Sequence, residues 1–171
     1  MQMHLVLTFI GNDRPGLVGQ LSNTVTQHGG NWLESRMSRL AGKFAGVTRI
    51  SVPAAQAEAL IAALRALHSD GLVVTVETGH DIADAPARKL TLSIIGPDRP
   101  GIVREVSQAL HARQINVDDM ETDVVSAPMT AEALFTATAT LRLPDSEDRI
   151  ALEETLDAIG ERLGVEIALE D

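Results

Sequence analysis

Gly11-Asn12-Asp13-Arg14-Pro15-Gly16 returns as Gly96-Pro97-Asp98-Arg99-Pro100-Gly101, 85 positions (96 − 11) further along the chain. The match runs on downstream. Leu17-Val18 answers to Ile102-Val103, Leu21-Ser22 to Val106-Ser107, and Asn31 to Asn116. A correspondence that keeps register over about twenty residues is an internal repeat, so the chain is expected to consist of two similar units.

An apolar run precedes each copy, His4 to Ile10 and Leu90 to Ile95, and reads as a short buried strand. After each copy, apolar residues recur at spacings of three and four: Leu17, Val18, Leu21 and Val25, then Ile102, Val103, Val106, Ala109 and Leu110. That period predicts an amphipathic helix. The hexapeptide is therefore a strand-to-helix turn. Asp13 and Asp98 are candidate helix caps. Pro15 and Pro100 suit a first helical turn, and Gly16 and Gly101 allow another molecule close to the backbone. Free amides and the positive end of a helix dipole make such a turn a site for an anion such as a carboxylate.

The remaining elements follow the same order in both halves. The first half reads strand, helix, strand (31–40), strand (43–52), helix (54–68), strand (72–78), with turns at Gly29-Gly30, Ala41-Gly42 and Asp70-Gly71. The second half gives strands at 89–95, 116–126, 132–143 and 165–169, and helices at 101–113 and 146–163. Its second helix is expected to be capped at Pro144-Asp145-Ser146. The stretch 127–131 is expected to project as a longer hairpin. Domain boundaries are placed at 1–79 and 88–171, with a linker at 80–87 that lacks any period. A βαββαβ order predicts, in each half, a four-stranded antiparallel sheet with two helices on one face, the ferredoxin-like arrangement.

Composition narrows the function. The chain has 171 residues, 44% hydrophobic but only 2% aromatic, so the cores must be aliphatic. There is no cysteine, which removes disulfides and thiol chemistry. The net charge of −10 argues against direct binding to nucleic acid, which needs a basic face. No apolar run has the length of a membrane span, and the N-terminus lacks the pattern of a secretory signal. A cytoplasmic location is expected. The five histidines have no i, i+4 pair, so neither a metal nor a cofactor is expected. Asp118, Asp119, Glu121 and Asp123 read as a solvated edge.

Two βαββαβ units, each with Gly-x-Asp-Arg-Pro-Gly-(Leu/Ile)-Val and an Asn opening the second strand, resemble tandem ACT domains. In plan the chain resembles glycine cleavage system repressor-like proteins, which are two ACT domains and little else. Ala127-Pro128-Met129-Thr130 followed by Leu134-Phe135 also resembles that group. The resemblance implies a small ligand, usually an amino acid, bound at the turn between first strand and first helix. The implied contacts are Asn12, Asp13, Arg14, Pro15, Gly16 and Leu17, then Pro97, Asp98, Arg99, Pro100, Gly101 and Ile102, with Asn31 and Asn116 nearby. It also implies a protein partner, such as a transcriptional regulator, and leaves a homodimer open. Asn31 and Asn116 equally suit a backbone role just past a helix.

Three functions therefore stand. The first is a non-catalytic regulator that senses an amino acid and signals by protein contact. The second is a hydrolase on the acylphosphatase plan, for which Arg14 and Asn31 are present but the glycine-rich loop is not. The third is an interaction module whose ligand turns are vestigial. No nucleophile elbow, P-loop or metal motif favours an enzyme.

Overall fold

A computed structural model describes residues 1–79, 87–128 and 131–171. The chain divides into two compact units, Met1–Ile82 and Ala83–Asp171.

In unit 1, strand β1 (Gln2–Asn12) leads into helix α1 (Leu17–Gln27), strands β2 (Asn31–Leu40) and β3 (Lys43–Pro53), helix α2 (Ala57–Ala66) and strand β4 (Leu72–Thr78). The antiparallel sheet has the order β2-β3-β1-β4. Leu5, Leu7 and Phe9 of β1 alternate inward and meet Leu17, Leu21 and Val25 of α1 and Leu60 and Leu64 of α2. Both helices thus cover one face, and each fully buried Leu contributes about 2 kcal/mol. The β2–β3 turn runs through Ala41 and Gly42 at φ 48° and 76°. Two consecutive positive φ values are what a two-residue hairpin of this twist requires. The helix expected over 54–68 is divided: 3-10 turns occupy Ala54–Gln56 and Leu67–Asp70 around a shorter α2. Tightening of terminal turns is common where four backbone groups lack helical partners.

Unit 2 repeats the plan with β5 (Ala87–Pro97), α3 (Ile102–Ala112), β6 (Asn116–Ser126), β7 (Ala133–Pro144), α4 (Arg149–Leu163) and β8 (Glu166–Glu170), in sheet order β6-β7-β5-β8. Ala87 opens β5, and residues 80–86 of the expected linker lie outside the described residues. Of the expected hairpin loop, Met129 and Thr130 also lie outside them. Its flanks are joined by the Ala127 amide donating to the Glu132 carbonyl at 2.8 Å. Helix α4 begins three residues later than expected. Its cap is Asp148, whose carboxylate accepts from the Ile150 amide at 2.9 Å, and not Ser146. Among the described residues no helix is long and apolar enough to cross a membrane.

Polar ties join the elements of unit 2, among them those of Arg113 and Asp118. Arg113, at the end of α3, reaches α4. It donates to the Ala151 carbonyl at 2.9 Å and to Thr155 Oγ1 at 2.8 Å, and it pairs with Glu147. Asp118 on β6 accepts from Arg142 on β7 at 3.1 Å and from Asn116 at 3.0 Å. Burial pushes its carboxyl up, but those two hydrogen bonds and the positive charge of Arg142 outweigh it, and the pKa lies below the ordinary value.

Arg113→Met is expected to lower the stability of unit 2 by about 2 kcal/mol, because a charged donor with three partners is lost. Amide NMR spectra through a urea titration read each unit separately, and unit 1 should not move. A depressed carboxyl stabilises the folded state above the usual carboxylate range and loses that contribution as pH falls through its folded value. Acidification from about pH 6 to about pH 3 should therefore lower the urea midpoint of unit 2 less in Asp118→Asn than in the wild type.

Candidate functional site

The turn after β1 is shaped by one backbone angle. Gly16 holds φ at 93° and stands immediately before α1. This left-handed region is open to glycine and costly to residues with a Cβ. Pro15 precedes the helix and does not form its first turn. The first intrahelical bond runs from the Gln20 amide to the Gly16 carbonyl at 2.9 Å. The amides of Leu17, Val18 and Gly19 therefore precede the helical ladder, and no side chain caps them.

Asp13, the expected cap, is engaged elsewhere. Its carboxylate pairs with Arg39 of β2 at 2.7 Å, and its amide donates to the Gly42 carbonyl at 2.9 Å. Asn12 accepts from Lys43 at 2.6 Å. The turn is thus pinned to the β2–β3 hairpin. Arg14 points the other way and donates to Gln20 Oε1 at 2.9 Å and to the Asp70 carbonyl at 3.2 Å; Gln20 in turn donates to the Asp70 carboxylate at 2.8 Å. Both Arg14 bonds leave from one nitrogen of a group that carries five donors.

Between these contacts a hollow of about 160 Å³ opens, lined by Asp13, Arg14, Gly16, Leu17, Val18, Gly19 and Phe44. Cavities of roughly this size hold a benzene-sized ligand. Its far wall is Phe44, whose ring centroid lies 6.0 Å from that of Phe9. A Cβ added at Gly16 or at Gly19 would meet nothing within 4 Å.

Unit 2 repeats the backbone of this turn with different side chains around it. Gly101 holds φ at 100°, no side chain caps α3, and the Asp98 amide donates to the Ala133 carbonyl. Asp98 is therefore no helix cap either, and Pro100 also precedes its helix. The equivalent of Gly19 is Arg104. Its guanidinium lies 3.5 Å from where a Cβ of Gly101 would stand. Glu105, in place of Gln20, pairs with Arg104 at 3.3 Å and with Arg162 at 2.5 Å. Arg99 lies over Gly164. An arginine thus stands beside the left-handed glycine of the second turn, at the position that Gly19 holds in the first.

Asn31 and Asn116 do not join the turns. Asn31 pairs in register with Ser51, which pairs with His4 at the start of β1. Eight residues separate His4 from Asn12, about 27 Å at the rise of a strand. Asn116 is placed alike, opposite Arg142, which pairs with Lys89. Arg14 and Asn31 consequently lie at opposite ends of one sheet, and the pairing that an acylphosphatase-like site needs is not formed. Gly19, Phe44 and Arg104 were not singled out from sequence, and Val18 only as an apolar helix position of the repeat. Aligning the two repeats at their offset of 85 exposes the Gly19–Arg104 difference directly. Among the described residues no three His, Asp or Glu side chains are grouped to hold a metal.

Models of the ACT domain match residues 3–77 and 90–161. A UPF0237 protein of Streptococcus mutans is 30% identical over 82 residues, 48% of this chain and 86% of its own length. A protein of unknown function from Galdieria sulphuraria superposes with a TM-score of 0.85 at 27% identity, over 99% of this chain and 98% of that one. A candidate glycine cleavage system transcriptional repressor superposes with a TM-score of 0.72 at 22% identity, over 99% and 97%, and so shares the fold.

The two glycines of the unit 1 turn should respond oppositely to alanine. Gly16→Ala is expected to cost about 1–2 kcal/mol, because a Cβ is forced into left-handed geometry. Gly19→Ala, in open space on a helix, is expected to stabilise by up to about 1 kcal/mol. Thermal unfolding of both variants checks the pair.

Proposed function

The chain belongs to the ACT domain family, and on that premise we propose that it is a non-catalytic regulatory protein whose unit 1 turn receives a small amino acid and passes its presence to a protein partner. The observation that carries this reading is the open hollow beside the uncapped start of α1. An amino acid presents a carboxylate, an ammonium group and a short side chain. The carboxylate meets the amides of Leu17, Val18 and Gly19 at the positive end of a helix. The ammonium group meets the Asp13 carboxylate, and the side chain lies toward Val18 and Phe44. The unit 2 turn, where Arg104 stands beside Gly101, takes the vestigial role, so the reading is one site per chain. The chain charge of −10 fits signalling by protein contact better than by nucleic acid.

A partner feels the ligand through reciprocal coupling: whatever the ligand does to partner affinity, the partner does to ligand affinity. A transcriptional regulator is the partner class that this reading favours.

Thermal-shift and calorimetric screens with the twenty amino acids test the assignment. One of them should stabilise the wild type with a stoichiometry of one per chain, by about 2.7 kcal/mol at a hundred times its Kd. Gly19→Arg, which copies unit 2 into unit 1, should abolish the shift without unfolding the protein. Arg104→Gly should add a second, weaker site. No stabilisation by any amino acid at millimolar concentration would leave the interaction-module reading in its place.

A further inference from the structure

The whole net charge of the chain belongs to one unit. Met1–Ile82 holds six acidic and six basic residues, and Ala83–Asp171 holds eighteen and eight, so unit 2 alone carries the −10. A charge so concentrated draws cationic partners to its surface. Part of it lines a groove. Hollows of about 170 and 380 Å³ lie between α4 and β8, and Asp157 and Ile167 belong to the walls of both. Glu153, Asp157, Glu161 and Glu166 line them, and no Lys or Arg does. Glu153 pairs with Arg149 at 2.8 Å. Asp157, Glu161 and Glu166 have no ion pair or side-chain hydrogen bond among the described residues. The matching helix of unit 1, α2, carries one acid and one base, Glu58 and Arg65.

One wall of the groove is an open sheet edge. β8 pairs with β5 on one side only. In a strand, the amide and carbonyl of a residue point to the same edge, and those of the next residue point to the other. The Leu169 carbonyl accepts from Arg149 of α4 at 3.2 Å, and the Val165 amide donates to the Gly160 carbonyl of α4 at 3.0 Å. Residues of this parity therefore turn their main chain away from β5. Ile167, midway between them, presents an amide and a carbonyl to the open edge. The same two bonds join the start of α4 to the end of β8 and the end of α4 to its start, so helix and strand run antiparallel. The acids of α4 have the right spacing for a strand laid between them. Glu153, Asp157 and Glu161 recur every four residues, about 6 Å along a helix. Side chains on one face of a strand recur every two residues, about 7 Å.

We propose that this groove receives an extended basic segment of a partner protein, with Lys or Arg at every second position. The segment adds a short strand to β8. Its main chain bonds to Ile167, and its alternate side chains meet Asp157 and Glu161. Opposite charge speeds the encounter, and the spacing of the acids selects alternating over clustered cations. The assignment does not depend on the ligand proposed for unit 1.

Fluorescence anisotropy of the full chain with a labelled peptide in which lysine alternates with threonine tests this. The peptide should bind, and in an amide NMR titration it should move the signals of Ile167 and Leu169. Asp157→Asn/Glu161→Gln, at exposed positions of α4, should weaken binding about tenfold through the loss of two charge contacts. Asp119→Asn/Glu121→Gln on β6 removes the same charge and should leave binding unchanged. Circular dichroism confirms that both variants are folded. A peptide of the same composition with its lysines consecutive should bind more weakly, and so should the alternating peptide methylated on its backbone amides. No binding at low salt, equal losses in the two variants, or equal affinity for the three peptides would each overturn the assignment.

Discussion

Gly16 and Gly101 hold φ at 93° and 100°, an angle that an L side chain resists, and each turns a strand directly into a helix. Much of each unit follows from that bend. It lets β1 and β5 run in the middle of their sheets and end where α1 and α3 begin, so the helices fold back over the face just made. It also brings the chain into the helix without a capping side chain. The result is a stable fold with exposed amides at a fixed place. A cap of the usual kind would satisfy those amides.

The two units show how one backbone serves different ends. In unit 1 a glycine at position 19 leaves the amides open, and Gln20 with Asp70 holds Arg14 to one side. In unit 2 an arginine at the matching place lies over the turn, and Glu105 gathers Arg104 and Arg162. Glu105 also places a negative charge in the first turn of α3, where the helix dipole welcomes one. Unit 2 thus meets the electrostatic demand of its helix from within.

Local signals in the sequence accounted well for the frame. The repeat, the order of elements and the spans 31–40, 72–78 and 116–126 follow from period and turn residues, and the structure has them at those positions. Ala41-Gly42 and Gly29 are legible because positive φ is a local demand. The roles of Asp13 and Ser146 were not. Asp13 is drawn away by Arg39, twenty-six residues on, and Ser146 loses the cap to Asp148, a choice between neighbours of similar propensity. The site was legible only in part. The turns announced themselves twice, but Phe44 reaches the hollow through sheet pairing, and the far placement of Asn31 follows from strand direction. Neither is written in a local motif.

Gly46 has no room for a side chain. A Cβ there would stand 2.6 Å from the Arg36 carbonyl and 2.7 Å from both Met37 and the tip of Phe9. The Phe9 ring fills the space under this glycine, and its other neighbour is Phe44, the wall of the hollow. Aromatic rings in a close-packed interior do not yield separately. An unbroken line of packed atoms thus runs from the wall of the hollow at Phe44 through the Phe9 ring to Gly46 and the neighbouring β2 backbone.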